Sequence, residues 1–489
     1  MQRTLETNAK THKFAMAGTI QCAMMAITML LVGNCAYSQS GPEPGAPIHF
    51  LPMPETPLLG ATVSGDTKAV RELLKAGANP NEGRLFGLPA VMFPLMMQNQ
   101  EMFQEFVDAK ADLQVRDKFG ATTLMWAVYN EDTNPTIVQQ ILKAGVDPNA
   151  RDSKGDTAFV WAMRRGNTPA GRLLEQAGAS RDKQIREAVQ KSLALLQKSS
   201  EQFYRISGCV SCHHQVLPAM AMGIARERGI AFNDAAASKD IQEIALMWQS
   251  IREYMTLDAH KIPNPPINVS YSLVGLASAK YPSDETTKAM ASFVAQYQQE
   301  DGSWRSQIKR PPIEASDITA TALSLRALQL YTNDAKRVSR AAEWLACQEP
   351  RSTEEQVMQL LGLSWAHADR ALIEQQARKL LARQQPGGGW SQLDTPESDA
   401  YATGQALVAL STAGVVRATD SAYTKGVGYL LRTQLADGSW LVVSRSFPFQ
   451  PYKESGFPHG KDQWISAAGT SWASIALGLA LTTSDQVTR

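Results

Sequence analysis

Gln298-Gln299-Glu300-Asp301-Gly302-Ser303-Trp304 returns as Gln434-Leu435-Ala436-Asp437-Gly438-Ser439-Trp440, with a variant at Gln384-Gln385-Pro386-Gly387-Gly388-Gly389-Trp390. Each copy follows a helix end; Tyr429-Leu430-Leu431-Arg432-Thr433 precedes the last of them. A Gln in that place can bond backbone groups at the helix end, the Gly permits a tight turn, and the Trp can cover the next hairpin. A small-residue, strongly apolar helix follows each copy in one register. The register reads Asp317, Thr321, Leu325, Leu328, then Asp399, Thr403, Leu407, Leu410, then Ser466, Thr470, Ser474, Leu477. Such helices suit the crowded inner ring of a barrel. Extending the alternation predicts six helical hairpins over residues 183–485. Outer helices are expected at 183–205, 236–257, 286–298, 335–348, 371–384 and 420–434. Inner helices are expected at 214–228, 268–280, 316–331, 354–367, 398–413 and 464–481.

The three copies resemble the Gln–Trp motifs of squalene and terpenoid cyclases. Six hairpins is also the number in the α/α toroid of those cyclases and of protein prenyltransferase β subunits. The resemblance implies that the motif staples neighbouring hairpins, and that one end of the inner ring forms the mouth of a central cavity. Its specific motifs cover residues 298–440, and periodicity carries the rest. The cyclase chemistry does not come with it. Class II cyclases protonate substrate with an Asp-x-Asp-Asp-Thr run, whose acid is tuned by burial and neighbouring carboxylates. The nearest stretch here is Glu314-Ala315-Ser316-Asp317-Ile318-Thr319-Ala320, with one Asp. Prenyltransferases hold zinc with an Asp, a Cys and a His. Cys347 is the Cys available in this region, and in Trp344-Leu345-Ala346-Cys347 it reads as a buried core thiol. Asp317 and Asp399 read first as helix N-caps beside Ser316 and Ser398. Catalysis is therefore not expected from the fold alone.

A second repeat lies upstream. Leu73-Leu74-Lys75-Ala76-Gly77-Ala78-Asn79-Pro80-Asn81 returns as Val107-Asp108-Ala109-Lys110-Ala111-Asp112, as Ile141-Leu142-Lys143-Ala144-Gly145-Val146-Asp147-Pro148-Asn149 and as Leu173-Leu174-Glu175-Gln176-Ala177-Gly178-Ala179. From Gly77 through Lys110 and Gly145 to Gly178 the steps are 33, 35 and 33 residues. An opening phrase, Thr56-Pro57-Leu58-Leu59, recurs as Thr122-Thr123-Leu124 and as Thr157-Ala158-Phe159. Thr and Pro start a short helix, the Leu pair buries a second one, and Gly caps it. The phrases resemble ankyrin repeats, which implies a binding platform over 56–181. Its second repeat departs from the pattern. Gly87-Leu88-Pro89-Ala90 replaces the Thr-Pro opening and Lys110 replaces the capping Gly, so distortion is expected there. The chain is thus expected to be all-α, an ankyrin-like helical solenoid followed by a six-hairpin α/α toroid at 183–485.

The 489 residues carry 48 basic and 47 acidic side chains, a balance that offers no basic excess for nucleic acid. Arg3, Lys10 and Lys13 precede an apolar run from Phe14 to Val32, and Ala36-Tyr37-Ser38 follows. This reads as a Sec-type signal peptide, residues 1–38, and predicts a periplasmic or secreted protein. The alternative is an N-terminal membrane anchor, because the run is long; a lipoprotein cut at Cys35 is disfavoured by Asn34. After cleavage no stable membrane span is expected. Residues 39–55 read as a Pro-rich linker.

Neither repeat accounts for Cys209-Val210-Ser211-Cys212-His213-His214. A Cys-x-x-Cys-His run is the attachment signature of c-type haem. Both thiols would add to haem vinyl groups, and His213 would be the proximal iron ligand. Met220, Met222 or His459 can supply a sixth ligand, or the position is open; Met220 and Met222 also read as core residues. Three other readings stand beside it: zinc held by the two Cys and a histidine, a Cys209–Cys212 disulfide, or two inert thiols. The motif precedes the first inner helix, where Asp317, Asp399 and Ser466 stand in later hairpins, so it belongs on the cavity rim. Loop Phe457-Pro458-His459-Gly460-Lys461-Asp462-Gln463-Trp464 should reach the same rim. His214, Asp317, Asp399, His459 and Asp462 are the rim candidates. The sequence therefore predicts an exported protein with haem c at the toroid rim, acting in electron transfer or redox sensing. A protein partner is expected on the array and an apolar small molecule in the toroid cavity. The alternatives are a haem-free interaction scaffold, and an isoprenoid- or lipid-acting enzyme without the cyclase motif.

Overall fold

A computed structural model describes residues 54–481 apart from 131–132, 165–167, 178–180, 209, 258–261, 396 and 448–452. The segment read as a signal peptide, nearly all of the expected Pro-rich linker and Cys209 lie outside the described residues. The chain divides into two compact units, one through Ala158 and one from Phe159.

In the first unit, short helices come in pairs: α1 (Pro57–Val63) with α2 (Thr67–Lys75), α3 (Met92–Met96) with α4 (Gln100–Asp108), and α5 (Thr123–Ala127) with α6 (Pro135–Lys143). Thr56 and Thr122 start α1 and α5, their Oγ1 atoms accepting from the N–H of Leu59 and Met125 at 3.1 and 3.3 Å. The pattern break at Gly87–Ala90 has a local effect. No side chain caps α3, which has only five residues. Strands β1 (Arg84–Leu85) and β2 (Leu88–Pro89) pair antiparallel ahead of it. The missing Gly does less harm. Lys110 takes φ +60°, the same left-handed turn that Gly77 and Gly145 make at +93° and +82°. Each second helix buries its apolar stripe, as Met102, Phe103 and Phe106 show in α4.

The second unit begins with α7, named from Ala158–Arg164, and α8 (Thr168–Gln176). The division near residue 158 falls inside the span 56–181 read as ankyrin-like. The fourth helix pair packs on the helical hairpins beyond it: a Cβ on Gly428 would meet Met163 Cβ at 3.1 Å. The hairpins follow as α9 (Arg181–Ser207), a π-helical turn (Cys212–Val216), α10 (Leu217–Glu227), α11 (Asp234–Ser250), α12 (Arg252–Leu257), α13 (Pro265–Ser278) and α14 (Glu285–Gln296). Then come α15 (Asp317–Tyr331), α16 (Ala335–Ala346), α17 (Thr353–Trp365), α18 (Arg370–Leu381), α19 (Ala400–Thr412), α20 (Ser421–Thr433) and α21 (Gln463–Leu479). Helices α10, α13, α15, α17, α19 and α21 neighbour one another in that order, and α21 neighbours α10, so the inner ring closes. Helices α9, α11, α14, α16, α18 and α20 pack outside it. The outer helix expected at 236–257 is broken at Ile251 into α11 and α12. Contacts between inner neighbours advance in step, Cys212 on Asn268 and Val216 on Gly275, then Tyr401 on Gly469 and Trp472 on Gly404. Inner helices therefore run parallel, and their N-termini share one end of the ring.

The recurrent turns are built alike. Gln298, Gln384 and Gln434 each donate through Nε2 to the carbonyl of their own motif Gly at 3.0, 2.9 and 3.1 Å. The same amides reach the next outer helix, at Arg337, Ala422 and Ala188 carbonyls, 2.9, 2.8 and 2.8 Å away. Ala188 lies on α9, so the last staple closes the ring onto the first hairpin. Trp304, Trp390 and Trp440 donate Nε1 to the carbonyls of Val294, Leu380 and Leu430 at 2.7, 2.8 and 2.9 Å. Their backbone N–H groups donate to Thr321, Thr403 and Thr470 Oγ1. That bond explains the fixed Thr in the register. Gly302, Gly388 and Gly438 sit at φ +92°, +88° and +92°, and a Cβ at Gly302 would stand 2.4 Å from the Arg340 carbonyl oxygen.

The inner helices also bury polar side chains. Tyr271, Gln359, Tyr401, Gln405 and Thr470 expose 1% or less of their surface. A cavity of about 280 Å³ opens between α10, α11 and the end of α13. Among the described residues no helix is long and apolar enough to cross a membrane.

Candidate functional site

Parallel inner helices bring the π-helical turn, the starts of α13, α15, α17 and α19, and the loop before α21 to one rim. Ser211 opens the π-helical turn, its Oγ accepting from His214 N–H at 3.1 Å. Its N–H donates to Gln215 Oε1 at 2.8 Å, and Gln215 Nε2 donates to the Ser200 carbonyl at 3.2 Å, which ties the turn to α9. His213 is half-buried between two aromatic walls. Trp464 stacks on it at 5.1 Å and 11°, and Phe203 meets it edge-on at 5.4 Å and 80°. Its Nδ1 lies 3.3 Å from Ser211 Oγ and in contact with His214 Nδ1. His214 is buried, stacked on Phe203 at 4.7 Å, with Nε2 lacking a protein partner. Cys212 is buried, its Sγ 3.6 Å from Asn268 Oδ1. Burial holds both imidazoles below the usual histidine range. The Arg310 charge adds to this at His213, and the charge of His213 adds to it at His214. Both rings are therefore neutral at neutral pH, the form a metal requires.

The other rim candidates are engaged elsewhere. His459 Nε2 lies 2.9 Å from Ser439 Oγ, which donates to Asp437 Oδ1 at 2.7 Å. Asp317 accepts from Ser306 N–H at 2.9 Å and Arg305 Nη1 at 3.0 Å; Ser316, not Asp317, caps α15. Asp399 caps α19 itself, accepting from Ala402 N–H at 2.9 Å, and burial pushes its carboxyl up. Asp462 accepts from Ser444 N–H at 2.9 Å. Met222 is buried and lines the 280 Å³ cavity with Ala219, Ala237 and Ile241, while Met220 packs half-buried against the core. Cys347 is a correction to the expected core thiol. It is exposed at the C-cap of α16, off the buried face that Ala341 and Leu345 form.

The structure adds a group that sequence reasoning missed. Glu354, one residue into α17, is 2% exposed. Tyr401 donates its hydroxyl to Glu354 Oε2 at 2.9 Å, and Gln405 Nε2 donates to the Tyr401 oxygen at 3.1 Å. Burial pushes the Glu354 carboxyl up to about 8, against the opposing pull of the Gln405 and Tyr401 bonds. The carboxyl is therefore protonated at neutral pH. Its Oε1 and the nearby Tyr271 hydroxyl are buried without protein partners. The available signal was Tyr401 and Gln405, a polar pair at i,i+4 on an otherwise apolar helix. Beyond it, Arg310 pairs with Glu314, which also accepts from Asn264 Nδ2 at 3.0 Å. Among the described residues no three His, Cys, Asp or Glu side chains gather as a metal set.

A family model described as Ankyrin repeats (3 copies) matches residues 58–152, the span of α1 through α6 and the tip that follows. Comparison with curated proteins gave no match. The first unit is accordingly similar to ankyrin repeats, which points to a protein-binding role for it.

Proposed function

We propose that this is an exported repeat protein carrying c-type haem at the ring rim, used in electron transfer or redox sensing, with a protein partner on its array. One observation carries the haem reading. In the Cys-x-x-Cys-His run, His213 is neutral, clamped by Trp464 and Phe203, and engaged at Nδ1 by Ser211, which leaves Nε2 as its remaining donor. The donor set fits: Cys209 and Cys212 for the thioether bonds and His213 for the iron. When bound, haem supplies reversible one-electron transfer. The chain's own residues fix the imidazole plane, keep water from its faces, and place the Arg310 cation nearby. His459 contacts Ser439 and Met222 lines the cavity, so His213 is the residue that would hold the iron. Intact mass tests the proposal. Protein exported from cells with cytochrome c maturation machinery should carry the mass of one haem, and a Cys209→Ala/Cys212→Ala variant should not. A folded, exported wild-type chain at its bare polypeptide mass would overturn it.

The stapled turns and the ankyrin match support a second reading, a haem-free interaction scaffold. The enzyme reading gains a buried acid in Glu354, but the sequence lacks the acid cluster of the cyclase motif. We place it last.

A further inference from the structure

The hairpin tips of the array stack into a ladder of basic side chains. Arg84 Nη1 donates to the Arg116 carbonyl at 2.9 Å, and Arg116 Nη1 donates to the Arg151 carbonyl at 2.9 Å. Arg116 and Arg151 also close their own tips, onto the Gly120 and Gly155 carbonyls at 2.8 Å each. Backbone bonds tie the tips together: Lys118 N–H to the Gly87 carbonyl at 3.2 Å, and Ser153 N–H to the Phe119 carbonyl at 2.8 Å. Arg84, Arg116, Lys118, Arg151 and Lys154 are all exposed. Phe119 is 48% exposed, with Lys118 Nζ 5.0 Å above its ring.

The acids of the same tips are turned into the backbone. Asp117 is buried, and Oδ1 accepts from the N–H groups of Phe119 and Ala121 at 2.8 Å while Oδ2 accepts from Trp126 Nε1 at 3.1 Å. Asp152 Oδ1 accepts from the N–H groups of Lys154 and Asp156 at 2.9 Å. Glu82 is exposed beside the first tip. The edge therefore presents cations around one apolar ring, although the chain as a whole is nearly neutral.

We propose that this edge docks an acidic protein segment that also seats an apolar side chain on Phe119. The inference rests on the reading of the array as a protein platform, and names the chemistry of its partner. Charge complementarity selects the acidic segment. The ring of Phe119 and exposed Glu72, Glu101 and Asp108 on the same unit's helices favour protein over a continuous nucleic-acid polyanion. Because carbonyls and backbone bonds already hold the ladder, docking orders few side chains.

Fluorescence anisotropy on the full chain tests this with a labelled (Glu-Glu-Leu) repeat peptide, its (Lys-Lys-Leu) counterpart and an oligothymidine. The acidic peptide should bind, and weaken about tenfold as salt rises through the screening range. Lys118→Glu/Lys154→Glu, at two exposed positions, should weaken it about tenfold with unchanged helicity and melting. Lys118→Arg/Lys154→Arg should retain binding. Loss of helicity in the Glu variant would shift the comparison to Phe119→Ser, which should also weaken the peptide. Several results would overturn the proposal. Preference for the Lys peptide would remove the acid specificity while leaving a protein platform. Equal binding of oligothymidine would make the edge a general polyanion site. No peptide binding at all would remove both the specificity and the platform reading.

Discussion

Replacing Glu354 with Gln should remove a pH dependence built into the ring. The carboxyl is 2% exposed, and burial raises it from 4.5 to about 8. In the unfolded chain it loses its proton near 4.5, so between there and about 8 the folded chain holds the extra proton. Rising pH then favours unfolding. Stability from this group is full below 4.5, falls through the window and is flat above about 8. At about 1.4 kcal/mol per unit, the loss across the window reaches at most about 5 kcal/mol. Gln keeps the shape and a donor for the same surroundings but cannot ionise. Urea unfolding of both proteins, followed by the fluorescence of buried Trp304, Trp390 and Trp440, should show the wild-type midpoint falling from pH 5 to pH 8. The variant should fall much less. Asp240, raised by burial to about 7, titrates in both proteins and cancels in the comparison. Parallel pH profiles would refute the assignment of a buried, protonated Glu354.

Other outcomes follow from the same contacts. Gln434→Ala removes the amide that joins the last turn to Ala188 on α9, and should cost about 1–3 kcal/mol in the melting of the ring; no change would mean the staple is idle. Gly404→Val should cost more than about 2 kcal/mol, because its Cβ would stand 2.6 Å from the Trp472 carbonyl carbon; a neutral result would contradict parallel packing of α19 and α21. Under native conditions a thiol reagent should modify exposed Cys347 quickly, as peptide mapping can check; a protected Cys347 would contradict its place at the end of α16.

Much of the ring was legible because its signals are local. The three Gln–Trp copies and the Asp/Ser–Thr register each lie within a few residues of sequence, and the inner helix expected at 316–331 spans Asp317–Tyr331. The ankyrin phrases carried the array for the same reason. What stayed hidden depends on partners distant in sequence. Ser352-Thr353-Glu354-Glu355 reads as an ordinary capped helix start, and Ser352 does cap α17. Its partners Tyr401 and Gln405 lie on the next inner helix, about 50 residues on in sequence. Trp464 and Phe203 meet His213 from the last and first hairpins. The Arg84–Arg116–Arg151 ladder bridges residues 32 and 35 apart, beyond any local pattern. Cys347 was misread because one residue past a helix end, burial no longer follows the helical stripe.

A pyridine haemochrome spectrum tests the central claim most directly, taken on the chain exported in cells that mature c-type cytochromes. The account predicts c-type haemochrome bands that resist acid–acetone extraction and vanish in Cys209→Ala/Cys212→Ala. A folded, exported wild-type chain without them would contradict the account.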